Sequence, residues 1–166
     1  MLWTEPGWSL WRTPGGRLIP INPEGQIGVD VTGFDDDPAF AAVVVERMVA
    51  AGVAILDERP ETVRDLPTPP PGEYLMWRLE AAVMDGWDEW ASWVVLDPDG
   101  LPVGNIAESH ELVAHNTWGP ATYTASHNPA SHDGRPLWHQ TGYPSPEEAY
   151  AALLAVLRPE QDDLQG

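Results

Sequence analysis

Eighteen prolines and fifteen glycines in 166 residues constrain this chain more than any other feature. Proline locks φ and removes a backbone donor, so it breaks helices and central strands, while glycine supplies conformations that other residues avoid. A helical bundle is therefore excluded, and many short elements joined by turns are expected. Hydrophobic residues at 43% and charged residues at 20% are ordinary globular usage, so a packed core is expected despite a net charge of −18.

The turns organise the first third. Thr13-Pro14-Gly15-Gly16 and Asn22-Pro23-Glu24-Gly25 separate strands over 8–12, 18–21 and 26–31, a β-meander. In both turns proline presets φ at the second position, the residue before it offers a side-chain acceptor, and glycine follows. Ile27, Val29 and Val31 alternate with Gln26, Gly28 and Asp30, which gives that strand one buried and one wet face. Asp35-Asp36-Asp37-Pro38 then starts a helix, with Asp37 as cap and Pro38 in the first turn. Capping explains this triple Asp better than a cation site, because calcium loops place their oxygens at alternate positions. The helix runs to about Ala51, ends at Gly52 and feeds a strand over 53–56.

Farther along, prolines 60, 67, 69, 70 and 71 mark a stiff connector. Residues 73–85 read as a helix stopped by Gly86, with a strand beginning at Tyr74-Leu75-Met76-Trp77 as the competing assignment. Trp93, Val94, Val95 and Leu96 lead into Asp97-Pro98-Asp99-Gly100, the strongest hairpin turn in the chain, and Pro102 predicts that the returning strand lies at a sheet edge. Strands are expected over 121–126 and 136–141. Ser145, Pro146 and Glu148 form a capping signature for a last helix whose stripe is Tyr150, Leu153, Leu154 and Leu157, stopped by Pro159.

The expected fold is α+β, antiparallel hairpins and a meander packed with two or three helices. Its divisions are a meander-plus-helix lobe over 1–58, a proline-rich connector over 59–72, a Trp-rich antiparallel sheet with a C-terminal helix over 73–158, and an acidic tail over 159–166. Trp8-x-x-Trp11 before one Pro-Gly turn parallels Trp90-x-x-Trp93 before another, which leaves open two similar small lobes.

Absences narrow the chemistry. The chain has no cysteine and no lysine, which excludes disulfides, thiolate metal sites, cysteine nucleophiles, Walker A chemistry and Schiff-base or kinase lysines. Eight arginines as the only fixed cations fit a GC-rich, bacterial or phage-like source. No secretory signal opens the sequence, and its longest apolar stretch, 39–56, carries Glu46 and Arg47, so a soluble cytoplasmic protein with no membrane span is expected. Eight arginines against 26 acids argue against direct nucleic-acid binding and for a basic protein partner.

All five histidines, His110, His115, His127, His132 and His139, fall within 30 residues, beside Glu108, Glu111 and Asp133. Imidazole with carboxylate suits zinc or another divalent metal, and His110, His115, His127, His132 and Asp133 are the candidate ligands. Their spacing opposes it. Residues five apart sit about 140° apart on a helix and on opposite faces of a strand. The Ser109-His110, Ser126-His127 and Ser131-His132 pairs do not make a hydrolase, since triad partners meet in space and no Gly-x-Ser-x-Gly elbow exists.

No catalytic residue is therefore assigned and no cofactor is required. The leading expectation is a non-catalytic, accessory or inhibitor-like interaction protein. Its candidate surface is Trp8, Trp11, Trp87, Trp90, Trp118 and Trp138. The alternative is a metal-dependent hydrolase or metal-binding domain built on the histidine cluster.

Overall fold

One turn is built three times, and it decides most of what packs around it. In the computed structural model, which describes residues 2–27, 38–79, 90–128 and 136–158, the amides of Gly16, Gly25 and Gly100 donate to the carbonyls of Thr13, Asn22 and Asp97 at 2.8–2.9 Å. Each turn closes with a bond from the residue before proline to the carbonyl of the residue after glycine, 2.8 Å in all three. Each glycine sits at φ between +81° and +86°, the left-handed conformation that this hairpin loop requires. The side chain of the residue before proline then bends back. Thr13 Oγ1, Asn22 Oδ1 and Asp97 Oδ1 accept from the amides of Arg17, Gln26 and Leu101 at 3.0, 2.8 and 3.0 Å.

These three openers are the buried polar residues among the described ones, and burial is tolerated because each oxygen is hydrogen-bonded. Two of the turns also meet. The Gly15 amide donates to Asp99 Oδ1 at 2.9 Å, and the Arg17 guanidinium lies 3.8 Å from Asp97 Oδ2. Burial pushes the Asp97 carboxyl above its ordinary value of 3.8, against the opposing pull of the Leu101 amide and Arg17.

The chain divides into two compact units, 1–75 with 96–102 and 129–135, and 76–95 with 103–128 and 136–166. The first holds a three-stranded sheet in which β1 (Ser9–Arg12) lies between β2 (Leu18–Ile21) and β3 (Ala54–Leu56). β2 is antiparallel to β1 and β3 is parallel to it, Leu10 pairing with Pro20 and Ile55. Successive residues of β1 face opposite ways. Leu10 packs with Trp8, Val44 and Met48, whereas Trp11 packs with Ile19, Ile21, Ile27, Val63 and Leu101.

Helix α1 (Pro38–Ala50) supplies Val44 and Met48, four apart on one face. It ends with the Val53 amide bonded to the Met48 carbonyl and the Gly52 amide to Val49, and Val53 packs back on the same cluster. The proline-rich stretch does more than connect. It forms a short 3-10 turn, Glu61–Val63, and buries Val63 in the Trp11 cluster.

The second sheet runs β10 (Trp138–Tyr143), β9 (Thr122–His127), β6 (Pro102–Ser109), β5 (Ser92–Leu96), β4 (Leu75–Arg78). Helix α2 (Pro146–Leu157) starts at Ser145, whose Oγ accepts from the Glu148 amide at 3.2 Å, and it packs chiefly on β9. A Cβ on Gly104 would lie 2.4 Å from the Ser126 carbonyl and 2.8 Å from Leu153, so only glycine admits this approach. Leu153, Ile106, Ala125 and Ala149 are fully buried in this unit.

The architecture is mixed α+β with mostly antiparallel sheets, ten strands and two α-helices among the described residues. Three expectations change. Residues 75–78 form a strand, the competing assignment for this stretch, in place of the start of the helix expected over 73–85, whose residues 80–85 lie outside the described ones; four residues in a paired edge strand outweigh local helix preference. β6 is a central strand, because Pro102 occupies its first position, where the missing donor is tolerated. The N-terminal sheet is not a pure meander, because α1 returns the chain as a parallel strand; Ile27, the last residue described there, forms a bridge to Ile21. The Asp35–Asp37 cap, the strand beyond Ile27 and the acidic tail lie outside the described residues.

Candidate interaction site

The four described histidines, His110, His115, His127 and His139, do not meet. In the β6–β9 ladder Gly104 pairs with His127 and Ser109 with Thr122. Five residues separate those rows, about 17 Å along a strand, so His127 and His110 stand at opposite ends. His139 pairs with Ser126 while His127 pairs with Trp138, which sends the two imidazoles to opposite faces of the sheet. His115 sits in an exposed turn, its Nε2 3.4 Å from Asn116 Nδ2. Among the described residues no group of three His, Asp or Glu side chains could hold a metal; His132 and Asp133 lie outside them. Ser109 and His110 also part. Ser109 Oγ bonds Thr122 Oγ1 at 3.3 Å, and the next residue along the strand faces away.

His110 has a different task. Its Nδ1 lies 2.7 Å from the Gly119 carbonyl, and since a carbonyl only accepts, Nδ1 carries the proton. Nε2 faces Glu108 Oε2 at 3.6 Å, and Glu108 also accepts from the Ala91 amide. Trp90 packs on this imidazole with ring centres 5.0 Å apart and meets Trp118 edge to face at 5.2 Å. The Gly119 amide donates to the Glu111 carbonyl at 2.7 Å. These contacts close the base of a projecting hairpin.

That hairpin is β7 (Leu112–Ala114) and β8 (Thr117–Trp118), a separate two-stranded sheet reversing at His115-Asn116, with Asn116 at φ +55°. Every residue from Glu111 to Trp118 is exposed. Leu112 is 60% exposed, Val113 63% and Trp118 46%. Leu112 and Val113 are consecutive in a strand whose pairing shifts register between Leu112 and Ala114, and both apolar side chains stand in solvent. An isolated two-stranded hairpin is marginal in water, and here the His110–Trp90 base supplies the missing support.

No known protein family, characterised protein or solved structure matches the chain.

Of the six candidate tryptophans, the structure removes two from any surface. Trp8 is 8% exposed and Trp11 1%, because each fills one side of the small sheet and no other residue there has the volume to do so. Trp90 is half-buried at the base of the finger, Trp138 is half-buried in β10, and Trp118 is open to solvent; Trp87 lies outside the described residues. Trp77, in edge strand β4, is exposed although the sequence did not single it out.

The finger itself was missed. Its signal was present as Leu112-Val113-Ala114 and Thr117-Trp118 around Asn116, a residue that tolerates the left-handed turn. A charge signal accompanies it. From Leu79 to Gly134 the chain contains no arginine, while Glu80, Asp85, Asp88, Glu89, Asp97, Asp99, Glu108, Glu111 and Asp133 are all acidic. Among the described residues no helix is long and apolar enough to cross a membrane.

Proposed function

We propose that the chain is a non-catalytic cytoplasmic interaction protein that engages a basic protein partner through exposed aromatic and aliphatic side chains set in an acidic field. The observation that carries this reading is the solvent-facing Leu112, Val113 and Trp118 beside Glu108 and Glu111. Leaving such side chains in water forfeits roughly 1.5–3 kcal/mol each relative to burial, so their exposure is a cost that binding recovers. The excess of acids steers a cationic partner and makes capture dependent on ionic strength. His110 and Glu108 support it as structural groups, since their contacts hold backbone at Gly119 and Ala91.

Titration of the full chain with a fluorescently labelled oligo-arginine peptide, and with its oligo-glutamate counterpart, tests this. Binding of the cationic peptide alone, weakening steeply with salt, is the expected result. Absence of oligo-arginine binding even at low ionic strength overturns the reading.

A further inference from the structure

We infer that the β7–β8 finger is the docking element, that Trp118 is its anchor, and that its occupant is an amphipathic basic protein segment, with apolar side chains flanked by arginine or lysine. The inference rests on the interaction reading above and specifies where and by what chemistry it operates. Three observations meet in this one element.

The first is composition at the tip. Aromatic anchors carry a disproportionate share of interface energy, and tryptophan leads that class. Trp118 has one edge-to-face neighbour, Trp90, and leaves nearly half of its surface in water. Leu112 pairs with Trp118 across the finger, so the two form one continuous apolar strip. Val113 extends the apolar surface toward the base, its Cγ1 3.2 Å from the position a Cβ would take on Gly119.

The second is pre-organisation. The finger is clamped through the backbone at Gly119, by His110 Nδ1 to its carbonyl and from its amide to Glu111. An element already held in its binding shape loses less freedom on association. A finger built only as a loop closure between β6 and β9 needs neither two strands nor an imidazole latch.

The third is charge. Glu108 and Glu111 flank the finger at its base, and no arginine or lysine occurs between Arg78 and Arg135. A second copy of the same acidic chain is repelled here, and so is a phosphate backbone. A cationic segment is attracted, and its guanidinium groups find both carboxylates and the open ring of Trp118.

The decisive comparison uses two labelled peptides of equal charge, one of arginines alone and one with leucines interspersed, titrated against the full chain. The leucine-bearing peptide is expected to bind about tenfold tighter, the worth of one buried aliphatic side chain. Trp118→Ala is expected to erase that difference while leaving oligo-arginine binding in place. Because Trp118 also packs on Trp90, the solvent-exposed Leu112→Ser/Val113→Ser pair provides a second variant that leaves the His110–Trp90 contact intact and is expected to do the same.

Equal binding of the two peptides, unmoved by either variant, overturns the finger and leaves the broader electrostatic reading standing. Binding of neither peptide overturns both. Self-association of the chain in sedimentation, lost in Leu112→Ser/Val113→Ser, overturns the basic occupant in favour of a second copy.

Discussion

Two kinds of hairpin end occur in this protein, and they invert each other's burial. The three Pro-Gly turns at 13–17, 22–26 and 97–101 put polar side chains inside, where Thr13, Asn22 and Asp97 each answer a backbone amide. The β7–β8 finger has no proline or glycine in its turn and puts Leu112, Val113 and Trp118 outside. A buried polar group with its partners in place is a device for specifying structure. An exposed apolar strip on a latched scaffold contributes nothing to the core and has to be accounted for by what it meets. The contrast separates residues that hold the fold from residues available for work.

The sharpest way to break the comparison is at Asp97. Asp97→Ala leaves the amides of Asp99 and Leu101 without their acceptor and Arg17 without its partner, and should cost about 3 kcal/mol of unfolding free energy in denaturant titration. Next comes Gly100→Ala, which forces a Cβ into the left-handed region at φ +86° and should cost about 1–2 kcal/mol in the same assay. If Gly100 tolerates alanine freely, the turn does not depend on the left-handed conformation at that position.

Asp97 also predicts a pH dependence. Burial raises its folded-state pKa above 3.8, so the folded state holds its proton more tightly than the unfolded chain does. The stability this contributes is complete below 3.8 and is lost as pH rises through the folded value. Asp97→Asn keeps an acceptor oxygen and abolishes that decline, so the stability difference between variant and wild type should change across this window, measured by urea titration at several pH values. A constant difference would contradict the assigned burial.

Smaller effects belong to the finger. His110→Ala removes the latch to Gly119 and the face that Trp90 covers, and should cost about 1 kcal/mol while accelerating amide exchange from Glu111 to Gly119. Leu112→Ser should change stability by less than about 0.5 kcal/mol, since that side chain packs little in the folded protein. A large loss of stability on that last substitution would mean that the finger belongs to the core after all.

Much of the local architecture was legible from residue order. Each Pro-Gly turn, α2 with its Ser145 cap, and α1 with Pro38 in its first turn and Gly52 behind it came from chemistry acting over four or five residues. Pairings that span the chain were not. Nothing near Ala54-Ile55-Leu56 announces a parallel alignment with β1, and although the Asp97–Gly100 turn announces that β5 lies beside β6, nothing near Pro102 reveals that β9 flanks it on the other side. The candidate site divided along the same line. The cluster of histidines is a fact of sequence, but register carries His110, His127 and His139 to different rows and faces, while Trp8 and Trp11, equivalent to Trp118 in composition, end in the core.

The chain's sequence by itself determined its turns, its helix ends, its acidity and the chemistries it cannot perform, because these depend on residue identity and on interactions between near neighbours. Tertiary structure alone decided that Asp97 is buried, that the four described histidines stay apart, and that one hairpin carries its apolar residues into solvent. Those outcomes depend on which strands pair and in what register, and a shift of one residue there exchanges the two faces of a strand.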